Sequence, residues 1–581
     1  MTDFASIADN VGVSGGASRP RLYFKKSTDA DFFGGNTAAD NGWKFVSASN
    51  GASPYSFTID YTLINGGSVS VGNVIQYFVV AQDDSNNLGS NPVGAASFST
   101  PPVQNVNIKP SAGVRSYSIV PSLSGTKTVG SGGDYASLGG AGGLFAAING
   151  SVLTGNLMIN IISDLSEVGS NGLNQLNTND YPPGAATITI QPGSATMKTI
   201  SGTAANGMIR LNGADRVVID GRFGGSGRYL TFRNSSTDVF SNTILLLNDA
   251  TNNTIRNCVI EGATSSFLGV IGLSTGAVTG NDNNLITDNQ VRDLSVAAGV
   301  PGYLVGSTGS SANVANSNNT IANNELYNFS TVGIRIDGTG NESWTISGNN
   351  IYELNPATYP VYGIQFGGGG VNVIAGNYIH DLLTSSSQVY GIGFYGPGVT
   401  TIAGNRITDF NGSAGVSSVW GIVASGSAGS TLNVVNNQIT LIPSAAMNRS
   451  IYGLFDNGPA GSACNVYHNS IVIGGAATAN FDSWASLRSS NSSHTARNNV
   501  YFNARAGGTG SHFAAGRKGA GGSYTADYNV YVGTGVTPSS LLDYSLTGSS
   551  IPVTFAIWQT STGGDVNSVA GNPGEVFNTA M

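Results

Sequence analysis

Up to about residue 118, apolar and polar positions alternate with a period near two, in short runs separated by turn-forming clusters. The runs are Leu22–Lys26, Trp43–Val46, Tyr55–Leu63, Val74–Gln82 and Ser116–Val120. Alternation of this kind belongs to strands with one buried face, and no helical period intervenes. The pattern predicts a small β-sandwich over residues 1–118, with no cysteine pair to bridge its sheets.

Farther along, the pattern becomes a repeat. Asn257-Cys-Val-Ile-Glu, Asn289-Gln-Val-Arg-Asp, Asn324-Glu-Leu-Tyr-Asn, Asn349-Asn-Ile-Tyr-Glu, Asn377-Tyr-Ile-His-Asp and Asn405-Arg-Ile-Thr-Asp are successive copies. Asn437-Gln-Ile-Thr-Leu and Asn469-Ser-Ile-Val-Ile follow, and Asn498-Asn-Val-Tyr-Phe is a slipped copy, at intervals of 25 to 35 residues. A second motif marches in phase: Val332-Gly-Ile, Tyr362-Gly-Ile, Tyr390-Gly-Ile, Trp420-Gly-Ile and Tyr452-Gly-Leu, 28 to 32 residues apart. A fixed period in this range means stacked repeats. Each unit carries about three short β-branched runs joined by Gly- and Asn-rich bends, which describes a parallel β-helix. Asparagine tolerates the left-handed backbone of a sharp bend, and stacked amides can hydrogen-bond along a column. The expected solenoid has roughly 13 to 15 coils and is some 65–75 Å long at about 4.8 Å per coil. Gly140-Gly-Ala-Gly-Gly-Leu-Phe-Ala-Ala-Ile reads as a short amphipathic helix covering the first coil.

Composition removes several alternatives. The 581 residues include 82 glycines and two cysteines, 10% are charged, and the formal net charge is −8. An acidic chain lacks the basic face that nucleic acid requires. No apolar run reaches the 18 residues of a membrane span, so no membrane span is expected. Cys258 and Cys464 lie about seven coils, or roughly 30 Å, apart, and are expected to be small buried residues rather than a disulfide. The N-terminus shows neither a basic region nor an apolar run, so the chain is expected to be a segment of something longer. Charge-poor, Gly- and Asn-rich composition fits bacterial extracellular proteins, and an extracellular or cell-surface location is expected.

With these residues in view, the repeats resemble the right-handed parallel β-helix superfamily of pectate lyases, polygalacturonases and phage tailspikes. Pro20-Arg-Leu-Tyr-Phe-Lys-Lys, Trp43-Lys-Phe and Val74-Ile-Gln-Tyr-Phe-Val-Val-Ala-Gln-Asp resemble the Ig-like modules of very large bacterial surface proteins, common among Bacteroidota. Asn206-Gly-Met-Ile-Arg-Leu-Asn-Gly-Ala-Asp-Arg-Val-Val-Ile-Asp-Gly-Arg-Phe resembles the β-helix module that follows in those proteins. The resemblance implies an all-β protein: an Ig-like β-sandwich over 1–118, a linker and N-terminal cap over 119–160, a right-handed β-helix over 161–540 and a C-terminal cap over 541–581.

Aligning the repeats produces a candidate site. Glu261, Asp293, Asn328, Glu353, Asp381 and Asp409 stand four residues after each asparagine, preceded by Ile260, Arg292, Tyr327, Tyr352, His380 and Thr408. Both columns are expected to face water, with carboxylates about one coil apart, near the ~5–5.5 Å of a retaining glycosidase pair. Glu353, Asp381 and Asp409 are thus candidate acid, base or nucleophile, and clustered carboxylates would also suit calcium. Tyr327, Tyr352 and His380 would offer flat faces to sugars, with Arg292 and Arg406 beside them. Recurrence over most coils, however, is what a strand-ending bend produces. The paired-aspartate and Gly-His-Gly pattern of polygalacturonases is missing, and only Lys198 and Lys518 follow residue 128, which leaves little for a lyase base.

Two further features stand apart. Asp29, Asp31 and Asp40 lie in a polar loop whose carboxylates are of the type calcium takes, although a solvated loop fits better. Between Ser483 and Ala526 there is no acidic residue, while Arg488, Arg497, Arg505, Arg517, Lys518, His494 and His512 all fall there. Arg517 and Lys518, on a Gly-rich loop, would dock an anionic glycan. The four histidines show no metal-ligand spacing. The resulting expectation is a non-catalytic structural or adhesive module whose partner is a polysaccharide or cell-surface glycan. The alternative is a polysaccharide hydrolase or lyase. Self-association into fibres follows if the C-terminal segment leaves the last coil uncapped.

Overall fold

The computed structural model describes residues 2–93, 101–176, 180–294, 299–357, 359–382, 384, 387–410, 418–443, 449–533 and 541–573. The chain divides into two compact units, Met1–Ser122 with Gly150–Val152, and Leu123–Asn149 with Leu153–Met581.

The first unit is built on one antiparallel sheet of five strands, Arg21–Lys26, Lys44–Ser47, Val74–Gln82, Leu88–Asn91 and Arg115–Ser118. Alternation puts Leu22, Phe24, Ile75 and Val79 on one face with Tyr55, Phe57 and Ile64. Tyr23, Phe78 and Val80 lie on the other face with Trp43, Val103 and Val106. Both faces are therefore apolar, and non-strand segments cover them. The expected strand Tyr55–Leu63 is one of these covers. It ends in a 3-10 turn, Tyr61–Leu63, because Asp60 Oδ1 accepts from the Thr62 amide at 2.9 Å and from its hydroxyl at 2.6 Å, a local bond that competes with extended pairing. A second sheet, which a sandwich requires, is not found among the described residues of this unit.

The second unit is a parallel β-solenoid of about 13 turns and right-handed type. Its strands form three stacked sheets of fourteen. One coil runs Thr345–Ser347 in the first sheet, Asn350–Tyr352 in the second and Val361–Phe366 in the third. The inward Ile346, Ile351, Ile364 and Phe366 are fully buried, as their counterparts are in most coils.

The two sequence motifs are two sides of one contact. A Cβ on Gly333, Gly363, Gly391, Gly421 or Gly453 in the third sheet would stand less than 3.0 Å from Cγ2 of Ile351, Ile379, Ile407, Ile439 or Ile471 in the second. The x-Gly-Ile motif holds phase with Asn-x-Ile because only glycine leaves room for that isoleucine.

The asparagine column is a hydrogen-bond ladder. Asn377 Oδ1 accepts both the main-chain and the side-chain N–H of Asn349, at 3.0 and 2.9 Å, while Asn377 Nδ2 donates to the Ile346 carbonyl. The same pattern links Asn289, Asn324, Asn349, Asn377, Asn405, Asn437, Asn469, Asn499 and Asn529. The left-handed residue is the one before each rung: Asn257, Asp288, Asn323, Asn436, His468 and Asn498 all have φ between 52° and 58°. Ladder and bend are thus separate jobs on neighbouring residues, and Asn257 and Asn498 belong to the bend. Cys258 occupies the rung, donating its amide to Asn289 Oδ1 at 3.0 Å. Both cysteines are buried and free.

Each end of the solenoid is closed. The helix Leu144–Asn149 buries Leu144, Phe145 and Ile148, and buried Glu167 accepts the amides of Leu138 and Gly139. At the other end the helix Phe555–Thr562 places fully buried Trp558 edge-on to Tyr524, Tyr531 and Tyr544, one ring from each sheet. The strand Pro552–Val553 pairs antiparallel with Leu542–Tyr544. The uncapped coil on which end-to-end fibre growth depends is therefore not what this end presents. No helix among the described residues is long and apolar enough to cross a membrane.

Candidate functional site

The expected site residues of the second sheet lie on five consecutive coils, carried by Gln290–Arg292, Glu325–Tyr327, Asn350–Tyr352, Tyr378–Ile379 and Arg406–Thr408. The central residues of these strands, Val291, Leu326, Ile351, Ile379 and Ile407, are inward and fully buried, so their flanking residues turn outward. There the rings join in one stack. Tyr327 and Tyr352 lie 5.0 Å apart, Tyr352 and His380 5.0 Å, and His380 and Tyr378 4.1 Å, all within 21° of parallel. Guanidinium groups close both ends, Arg292 at 5.9 Å over Tyr327 and Arg406 at 4.8 Å over Tyr378. The faces that would receive a sugar are therefore already taken by neighbours in the stack.

Polar partners complete the column. Tyr352 donates to Glu325 at 2.9 Å, and Gln290 donates to the other oxygen of Glu325. Burial, then the Glu325 contact, pushes the Tyr352 hydroxyl up. His380 bonds through Nδ1 to Asp381 at 2.7 Å and through Nε2 to Asn350 at 2.9 Å. Arg292 pairs with Glu261 at 2.6 Å, and Arg233 pairs with the same buried carboxylate.

The carboxylates do not form one water-facing row. Glu261 is in register with Arg292 rather than Asp293, because the rung of its coil is Cys258 and not Asn257. Glu353 is only 3% exposed, tucked under the bend to accept the Phe329 amide at 3.0 Å. Burial holds its carboxyl well above the usual range, and the Asp293 charge adds to this. Asp293 is itself raised by burial and accepts from Asn328 at 3.1 Å. Asn328, Asp381 and Asp409 have φ of 59°, 47° and 57°, so this position is a left-handed bend where Asn and Asp are the side chains best tolerated. Only Asp381 and Asp409, of the expected catalytic trio, reach solvent.

The basic segment is mostly interior. His512–Arg517 is a strand of the third sheet rather than a solvated loop, and Arg488, Arg505, His494 and His512 are all buried. Burial pulls Arg505 down to about 10 and lowers His512. Arg517 lies over Tyr524 at 5.0 Å and Tyr544 at 5.7 Å. Lys518 lies 4.5 Å over Trp484, 3.5 Å from Asp543 and 2.9 Å from the Ser550 hydroxyl. Both expected anion-docking side chains are thus engaged within the solenoid wall. In the first unit, Asp31 pairs with Lys25 and Lys109, Lys25 donates to the Asp29 carbonyl, and Lys44 donates to the Asp40 carbonyl. An ammonium beside each aspartate opposes a calcium ion there.

One cluster escaped the sequence. Asp456, Cys464 and His494, all buried, bring one ligand atom each within 4.8 Å of one another. Cys464 and His494 are register partners on adjacent coils, and Asp456 enters from the end of the strand Ser450–Asp456. Only the coil register, with Cys464 and His494 at one phase of the repeat, could have shown this.

No protein-family model matches the chain, and no curated protein does. Among solved structures it is similar to the catalytic unit of a GH87 alpha-1,3-glucanase from Streptomyces thermodiastaticus, at 12% identity and a TM-score of 0.22, covering 96% of this chain and 86% of that one. A family 28 exopolygalacturonase from Yersinia enterocolitica matches at 8% identity and a TM-score of 0.23, covering 83% and 85%. The Streptococcus pneumoniae surface protein and adhesin PfbA matches at 11% identity and a TM-score of 0.22, covering 75% and 99%.

Proposed function

We propose that this chain is a non-catalytic, extracellular module of a large bacterial surface protein, with an Ig-like N-terminal unit, and that its solenoid stiffens the parent protein and presents side faces to glycans. The observation that supports this reading is the closed outward column of the second sheet. Its rings stack on one another, its guanidinium groups cap the stack, and its acidic groups terminate bends or pair with neighbours. Such a column stiffens a coil stack and leaves the edges of rings and the exposed Arg406 for a polymer lying along it. A glycan array probed with the whole chain tests the reading. Retention on at least one polysaccharide, weakened by Arg406→Ala, agrees with it; no retention on any polymer removes the adhesive half.

A second reading, a carbohydrate-active enzyme, is favoured by one observation. Glu353 and Asp293 are neighbouring carboxyls that burial keeps protonated to higher pH, the condition of a general acid. Release of sugar ends that disappears in Glu353→Gln would establish this reading in place of the first.

A further inference from the structure

We propose that Asp456, Cys464 and His494 form a zinc-type divalent metal site inside the C-terminal coils of the solenoid. The donor set is one sulfur, one imidazole nitrogen and one carboxylate oxygen, and side chains of these three types together are what a borderline-soft ion such as Zn2+ selects. Each residue is 2% exposed or less. Their ligand atoms lie within 4.8 Å of one another, and a tetrahedral zinc with bonds of ~2.0–2.3 Å needs them roughly 3.3–3.8 Å apart, a closure that side-chain rotation supplies.

The place in the fold argues for a purpose. Cys464 and His494 continue the inward column that holds Leu432 one coil earlier, and Asp456 continues the inward column of Phe394 and Ala424. Buried Asn372 and Thr400 stand earlier in the first of these columns, so polarity alone is not new there. The local exception is that a thiol, an imidazole and a carboxylate, all able to bind a metal, meet within the same few coils. A buried aspartate, imidazole and thiol cost stability unless they are compensated. In the protein alone His494 Nδ1 lies 2.7 Å from Asp456 Oδ2, and the Ser492 hydroxyl donates to the same oxygen at 2.6 Å. Cys464 Sγ has no hydrogen bond among the described residues. Arg488, next after Asp456 in the column, directs its Nη groups to the carbonyls of Ser492, Gly519 and Gly521 and makes no ion pair with Asp456 among the described residues. A dication would take up the thiolate, releasing the thiol proton to solvent, and would sit between two anionic donors and a neutral imidazole. Because the cluster lies inside the coils, the ion would enter as the chain folds.

The test uses the whole chain, produced with zinc in the medium and dialysed without chelator. The expected result is about one zinc per chain, and a sulfur neighbour at roughly 2.3 Å in the zinc absorption spectrum. Refolding in Co2+ should give a thiolate-to-cobalt charge-transfer band. Cys464→Ala should abolish the band and reduce bound metal to near none, while Cys258→Ala, at the other buried cysteine, should keep both. The wild-type absorption spectrum decides the matter even where Cys464→Ala does not fold. Wild-type protein with no stoichiometric metal, a zinc without a sulfur neighbour, or a cobalt band that survives Cys464→Ala would overturn the proposal.

Discussion

Two stretches of the same solenoid differ in what fills them. From Thr320 to Leu441 the interior is dominated by isoleucine, valine, leucine and phenylalanine, and Gly333, Gly363, Gly391 and Gly421 of the third sheet each seat an isoleucine of the second. From Asp456 onward the same columns change character. Phe394 and Ala424 give way to Asp456, Arg488 and Arg517. Ile439 and Ile471 give way to Tyr501 and Tyr531, and Gly453 is succeeded by Ala485. Buried Asp565 then gathers Tyr531, Trp558 and Ser568 at the cap. A feature that recurs coil after coil serves the stack, whereas a feature confined to one or two coils is where particular chemistry can reside.

The largest expected effect breaks the polar stretch. Arg488→Met strands the carbonyls of Ser492, Gly519 and Gly521 inside the wall, and denaturant unfolding should show a loss of about 3–5 kcal/mol. Next is the regular stretch. A Cβ at position 421 would meet the Gly453 carbonyl oxygen at 2.5 Å and Ile439 Cγ2 at 2.7 Å, so Gly421→Ala should cost about 2–4 kcal/mol. Ala485→Gly, one step past the end of the glycine column, should cost only about 1 kcal/mol, and equal losses at the two positions would undo the glycine–isoleucine account.

Asn405→Ala removes the acceptor of two Asn377 N–H groups and the donor to the Ile374 carbonyl, for an expected loss of about 1–3 kcal/mol. Glu353 yields a pH signature. Its carboxyl is raised in the folded protein, so the native state holds more protons than the unfolded chain. Stability from this group is therefore greatest below the ordinary glutamate value of 4.5 and falls as pH rises from there toward the higher folded value. Glu353→Gln should flatten that decline while keeping an acceptor for the Phe329 amide, and an unchanged slope would refute the burial argument. The smallest effect is expected for Asp381→Asn and Asp409→Asn, which suit the same left-handed bend and should shift stability by less than about 0.5 kcal/mol.

Much of the solenoid was legible because its repeat is enforced by steric fit. Isoleucine and glycine recur together where one occupies the space the other leaves, and the buried amide ladder places asparagine at each rung from Asn289 to Asn529. At Asn498 and Asn499 two adjoining asparagines hide which is rung and which is turn. At Asn257 the rung is Cys258, so the asparagine in view belongs to the bend and the alignment there falls one place out, Glu261 with it. Burial of Glu353 was not legible either, since the bend that covers it is set by the Phe329 amide one coil earlier. In the first unit, alternation located Arg21–Lys26, Lys44–Ser47 and Val74–Gln82 closely. It misread Tyr55–Leu63, whose apolar side chains cover the sheet without joining it. The Asp456, Cys464 and His494 cluster needs the coil register and a third element, and linear spacing carries neither.

The central claim is that the second-sheet column is architecture and not an active site. Its most direct test is to incubate the whole chain with plant, algal and bacterial polysaccharides, with and without calcium, and to measure new reducing or unsaturated ends. The account predicts binding with no release from any polymer. Release from even one, abolished together by Glu353→Gln, Asp381→Asn and Asp409→Asn in a chain that remains folded, would contradict it.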